Sequence, residues 1–94
     1  MDEIPVLTSA DRRTLKSRAQ RLDPLVYVGK QGLTDAIVAG TVTALATHEL
    51  VKVRFTANKE DRATLAEEIA ARSGASLVTV VGHVAVIFKP KPKG

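Results

Sequence analysis

Gly29-Lys30-Gln31-Gly32 combine two properties that a phosphate site needs, a backbone open to close approach and a cation within reach. Glycine has no β-carbon, so a ligand can come near its amide, and it adopts positive φ without strain. The four residues leave an extended stretch and enter a helical one. A helix N-terminus offers unpaired amides and a partial positive charge, which suit an anion. Taken alone the GxxG pattern is weak, because glycines between a strand and a helix also serve as plain turn residues. It is not a P-loop, which requires GxxxxGK[ST]. A second group of cations precedes the loop. From Thr8 to Leu22, Arg12, Arg13, Lys16, Arg18 and Arg21 stand against Asp11. A solvated helix face would explain that cluster equally well.

Other chemistry has less support. His48-Glu49 begins like the helical HExxH zinc motif, but that motif needs histidine at position 52, where Lys52 stands. A cation closing a helix is the better account of His48, and His83 reads as a turn residue. With two histidines and no cysteine, no metal site is expected, and no disulfide framework can form. No Ser/His/Asp set or carboxylate pair stands out, so no catalytic residue and no cofactor are assigned. Tyr27 has a ring on which a base could stack. One tyrosine and two phenylalanines make no aromatic platform, however, and packing at the sheet surface explains Tyr27 better. Lys52 and Arg54 read as surface residues of a strand rather than as ligands.

The elements that carry these residues follow from periodicity. Thr8 to Leu22 is a helix capped by Thr8, with Asp11 placed to reach back to free amides. Its apolar stripe is Leu15, Ala19 and Leu22, with Arg13, Lys16 and Gln20 on an adjoining face and Arg18 and Arg21 on the other side. Leu25 to Val28 is a short strand. Thr34 or Asp35 opens a second helix that runs to about His48 and buries Ile37, Val38, Thr41 and Leu45. Gly40 lies inside that helix at about 1 kcal/mol relative to alanine, which points to close backbone packing. In Leu50 to Thr56, Val51, Val53 and Phe55 alternate with Lys52 and Arg54, so the two basic residues share the face away from the core. Asn58 begins a third helix with Leu65, Ala66, Ile69 and Ala70 inward, ended by Gly74. Leu77 to Val81 and Val84 to Phe88 form a hairpin about Gly82-His83. Pro90 and Pro92 end the last strand and leave a mobile basic tail at about 90–94.

The order is α-β-α-β-α-β-β, an α/β fold with a mixed four-stranded sheet and helices packed against it. Strand-helix-strand passages make the first strands parallel. A chain of 94 residues that is 45% hydrophobic fits one domain, 1–94, with a modest core. The net charge of +4 suggests a polyanionic partner. The start of the chain lacks a signal peptide's basic region, and no apolar run approaches the ~20 residues of a membrane span. A soluble cytoplasmic protein is expected.

The segment from Leu22 through Val28-Gly29-Lys30-Gln31-Gly32-Leu33-Thr34 resembles a CRM domain (chloroplast RNA splicing and ribosome maturation). The likeness continues through His48-Glu49-Leu50-Val51-Lys52-Val53-Arg54, at Gly74-Ala75 and at Val81 to Val86. It implies a fold similar to the C-terminal domain of translation initiation factor three. It also implies RNA binding by the GxxG loop, much as KH domains clamp backbone nucleotides. Those roles fall on Gly29, Lys30, Gln31 and Gly32, with Arg13 and Lys16 as neighbours. The size is similar to stand-alone bacterial CRM proteins that associate with ribosomal RNA in large-subunit precursors. The resemblance thus implies an RNA partner; no membrane, no small-molecule substrate and a monomer are expected alongside it. An RNA module acting on other structured RNA such as transfer RNA, and a small enzyme with a basic recruiting surface, are the alternatives. Where many relatives end the last strand with tyrosine-arginine, this chain has Phe88-Lys89, which removes a hydroxyl and a planar guanidinium.

Overall fold

The first helix, α1 (Ser9–Ala19), begins at a closed capping box. Thr8 Oγ1 accepts from the Asp11 amide and Asp11 Oδ2 from the Thr8 amide, each at 3.1 Å. Residues 7–57 and 59–90 are described by the structure, a computed structural model. The helix ends before the expected Leu22. Leu22 is therefore out of the stripe and 38% exposed, while Leu15 and Ala19 are buried.

The short strand β1 (Val26–Val28) leads through the glycine loop to α2 (Asp35–His48), with Thr34 Oγ1 capping the Ile37 amide at 3.2 Å. Glu49 follows with φ 62°, a conformation that side chains other than glycine seldom adopt. It turns the chain sharply into β2 (Leu50–Phe55). A 3-10 turn (Lys59–Asp61) precedes α3 (Arg62–Arg72), and Asp61 makes no side-chain cap bond. The expected start at Asn58 lies outside the described residues, as do residues 91–94 of the expected tail. The end of α3 follows the Schellman pattern: Gly74 has φ +72°, its amide donates to Ala71 and the Ala75 amide to Ala70. β3 (Ser76–Val81) and β4 (Val84–Phe88) close the chain as a hairpin whose first turn residue, Gly82, takes positive φ.

The four strands lie in the order β1-β2-β4-β3. β1 and β2 are parallel, as the strand-helix-strand passage requires, and β4 runs antiparallel to both β2 and β3. Helices cover both faces. Leu45 of α2 and Ala66, Ile69 and Ala70 of α3 pack with Val28, Val53, Phe55 and Ile87 on one side. On the other, Leu15 and Ala19 of α1 pack with Leu50, Val78 and Val86. β2 serves both layers: Val51, Val53 and Phe55 face the larger core, while Leu50, Lys52 and Arg54 face the α1 side. A register shift between Leu77 and Thr79 makes Val78 a bulge residue, so Val78 and Thr79 both turn toward α1.

The side chain of Arg12 stabilises that irregularity. Its Nη1 donates to the carbonyls of Leu77 at 2.8 Å and Val78 at 3.1 Å. Lys52 Nζ likewise donates to the Leu22 carbonyl at 3.0 Å and ties the segment after α1 to β2.

Close packing is not the reason for Gly40. Its position is exposed, and a β-carbon there would meet nothing within 4 Å. Helix propensity then acts unopposed, and Gly40→Ala is expected to stabilise the protein by about 0.5–1 kcal/mol. That is a rise of about 3–5 °C in Tm by calorimetry; an unchanged or lower Tm would show a constraint at this site that the surface position does not reveal.

Candidate functional site

The glycine loop is a four-residue turn anchored at both ends. The Gly32 amide donates to the Gly29 carbonyl at 3.0 Å, which leaves Lys30 and Gln31 at the exposed tip. Upstream, the Val28 carbonyl accepts from the Thr56 amide at 2.8 Å and from Thr56 Oγ1 at 3.2 Å. Downstream, Arg72 Nη1 reaches the Leu33 carbonyl at 3.3 Å and Nη2 the Asp35 carboxylate at 3.4 Å. Asp35 starts α2, where its charge would oppose an incoming anion, and the Arg72 guanidinium tempers that opposition.

The two glycines differ. Gly32 has φ +72°, which a residue with a β-carbon adopts only under strain. Gly29 has no such need. A β-carbon there would meet Thr56 Oγ1 at 3.6 Å, an ordinary contact. The fold accounts for Gly32 and leaves room for a side chain at Gly29.

Arg13 and Lys16 line a groove between α1 and β3 together with Ser9, Ser17, Gln20 and Thr79. Lys16 and Gln20 also border a second, more apolar groove over Lys52, Val81, Val84 and Val86. Neither groove is lined by a carboxylate or by a residue of the glycine loop. Among the described residues, Arg13, Lys16, Lys30 and Arg54 make no ion pair. Arg12, counted with the basic cluster, belongs to the β3 bulge instead.

The loop sits at the end of edge strand β1, and α1 lies toward β3 at the opposite edge. Between them runs one row of paired residues, Tyr27, Arg54, Val84 and Val81, on the α1 side of the sheet. Tyr27 is 56% and Val81 63% exposed, so packing claims less than half of the tyrosine. Lys52 and Arg54 do share a face away from Val53 and Phe55, as strand alternation requires. Sequence reasoning missed Thr79 as a groove residue. The only hint was a polar side chain among valines, and the bulge that reorients it leaves no mark in the pattern. On the far side of α1, Arg18, Arg21 and His48 gather in a third groove with Asp23.

The sequence profile of the CRS1/YhbY (CRM) domain matches residues 7–89. The chain belongs to this family. A protein of Pseudomonas aeruginosa named a probable RNA-binding protein is 35% identical over 88 residues, covering 93% of this chain and 85% of the relative. A Haemophilus influenzae protein named as RNA-binding is 33% identical over 85 residues, covering 89% and 86%. The solution structure of a hypothetical protein from Staphylococcus aureus shares the fold with a TM-score of 0.82 at 30% identity, covering 94% of this chain and 93% of that one. Within the CRM domain, Phe88-Lys89 now has a local account. Phe88 packs in the α1 layer, and Lys89 Nζ lies 3.3 Å from where a β-carbon of Gly74 would stand, at the C-terminal end of α3. A cation is favoured there by the helix dipole.

These geometries separate structural from exposed groups. Gly32→Ala is expected to cost about 1–2 kcal/mol and Arg12→Ala about 1 kcal/mol through its lost carbonyl contacts. Gly29→Ala and Arg13→Ala are expected to stay within about 0.5 kcal/mol of the parent. Urea unfolding of the four variants checks this ordering; equal losses for Gly29→Ala and Gly32→Ala would refute the distinction drawn between the glycines.

Proposed function

We propose that this CRM domain protein, as one unit of residues 1–94, binds RNA and acts by binding rather than catalysis. The observation that carries the reading is a set of cations, Arg13, Lys16, Lys30 and Arg54, that make no ion pair among the described residues, around a sheet face whose two grooves between α1 and the β3–β4 hairpin hold no carboxylate. Such a surface suits a polyanion. The names of the relatives support RNA as that polyanion. The groove hydroxyls of Ser9, Ser17 and Thr79 have no histidine or carboxylate beside them in the groove. A hydroxyl without an activating base is a weak nucleophile, which favours a binding role.

In this reading Gly29, Lys30, Gln31 and Gly32 receive a backbone phosphate, with Lys30 as the mobile cation, and Arg13 and Lys16 meet phosphates farther along. The tolerance of the fold for a side chain at Gly29 supports it, since ligand approach then remains the reason for glycine there. The RNA is ribosomal RNA of large-subunit precursors in the cytoplasm, bound by a monomer. Support for this finer assignment is the similarity in size and motif to stand-alone CRM proteins. Sedimentation of cell extract tests it: the protein is expected with large-subunit particles, and recovery with transfer RNA alone would reassign it.

Binding is expected to weaken with salt. Contacts by Arg13, Lys16 and Lys30 with single-stranded phosphates give a slope of about −2 in log affinity against log salt. Gly29→Asp, which places a charge at the proposed phosphate, is expected to lower affinity at least about tenfold, or ~1.4 kcal/mol, with Lys30→Ala as a milder companion. A folded Gly29→Asp variant that binds RNA like the parent would make the glycine a turn residue only and leave α1 as the binding surface.

A further inference from the structure

We propose that the open sheet row holds one unpaired RNA base, stacked on Tyr27 with Arg54 beside it. The inference rests on the RNA-binding reading and extends it from phosphates to a base. Tyr27 and Arg54 are partners across the parallel β1–β2 pair, so their side chains leave the same face one strand spacing, or ~5 Å, apart. Both are exposed, and Val84 and Val81 continue the row as an apolar floor toward β3. Tyr27 is 56% exposed in a protein whose remaining aromatic residues are two phenylalanines, one buried and one half-buried. Water gains nothing from an aromatic face, whereas a base gains contact area with it and needs no particular sequence to do so. Arg54 can stack on the same base or hold its phosphate.

Charge and continuity select this occupant. The groove next to the row is bordered by Lys16 and Lys52 and lined by no carboxylate, which fits a polyanion better than an acidic or neutral protein surface. Tyr27 stands two residues before Gly29, about 7 Å along an extended strand. A phosphate at the loop therefore leaves the neighbouring base within reach of the tyrosine. A base still paired in a duplex cannot lie flat on the ring, so the site takes loops, bulges or single strands.

Tyr27 is the one tyrosine and there is no tryptophan, so the intrinsic emission of the intact protein reports on this ring alone. Two probes are compared: an RNA hairpin with an adenosine-rich unpaired loop and a blunt duplex with the same stem. The hairpin is expected to quench Tyr27 emission at saturation and the duplex to leave it nearly unchanged. Tyr27→Ala is expected to weaken hairpin binding by about fivefold or more with little effect on the duplex, and Tyr27→Phe to bind like the parent. Gly29→Asp instead weakens both RNAs, which separates the phosphate contact from the stacked base. Unquenched emission with the hairpin bound, or a folded Tyr27→Ala variant with parental hairpin affinity, overturns the base site while RNA binding stands. Failure of the parent to bind either RNA overturns both readings.

Discussion

The buried face of α1 is two residues wide, Leu15 and Ala19, and a helix with so little apolar surface can roof only part of a sheet. The opposite face carries two helices and is closed by Leu45, Ala66, Ile69 and Ala70. On the α1 side, cover ends at Leu50, Val78 and Val86. The strands continue past it, so Tyr27, Arg54 and Val81 of the row are exposed and Val84 is half-buried. At roughly 25 cal/mol per Å², the α1 stripe contributes too little to hold the helix alone. The capping box at Thr8 and the carbonyl contacts of Arg12 make up part of the difference. An unroofed, basic sheet surface is a consequence of that imbalance.

The bulge at Val78 carries the same constraint into β3. A regular strand would turn either Val78 or Thr79 toward α1. The extra residue turns both, so Val78 supplies an apolar contact and Thr79 a polar wall to the groove. Arg12 bonds the carbonyls at this point, so part of its guanidinium is already engaged although the residue stays exposed in the groove. Lys52, tied to the Leu22 carbonyl, is partly withdrawn in the same way. The net charge of +4 therefore says less than which cations remain unengaged among the described residues: Arg13, Lys16, Lys30 and Arg54 around the open row, with Arg18 and Arg21 on the far side of α1.

Features that depend on near neighbours were legible in the sequence. The Thr8–Asp11 box, the glycine exit from α3, the Gly82-His83 turn and the alternation in β2 involve residues a few positions apart. Features that depend on distant partners were not. The role of Arg12 requires a strand 65 residues away, and the insertion of β4 between β2 and β3 is a matter of pairing rather than pattern. Leu22 kept helical spacing after the helix had ended, and Gly40 satisfied a packing rule in a place with nothing to pack against. The candidate site divides similarly. Gly29, Lys30, Gln31 and Gly32 could be placed on a strand-helix loop and Arg13 and Lys16 on a helix. That the two groups flank one open sheet row follows only from the strand order.

The two glycines of the loop show how fold and ligand requirements can be told apart within one motif. Gly32 closes the turn at φ +72° and leads directly to the Thr34 cap of α2, so its conformation is set by the passage from strand to helix. Any ligand that comes to the loop finds this geometry already made and need not order it, which lowers the entropy cost of binding. Gly29 sits on the strand side, between the Val28 carbonyl held by Thr56 and the exposed tip. Its backbone is ordinary and its surroundings would accept a methyl group. Within the described residues, folding gives a reason for one glycine of the pair. At the other, Gly29, a side chain would meet only an ordinary contact with Thr56, and the nearest exposed cation and aromatic ring, Lys30 and Tyr27, lie one and two residues to either side.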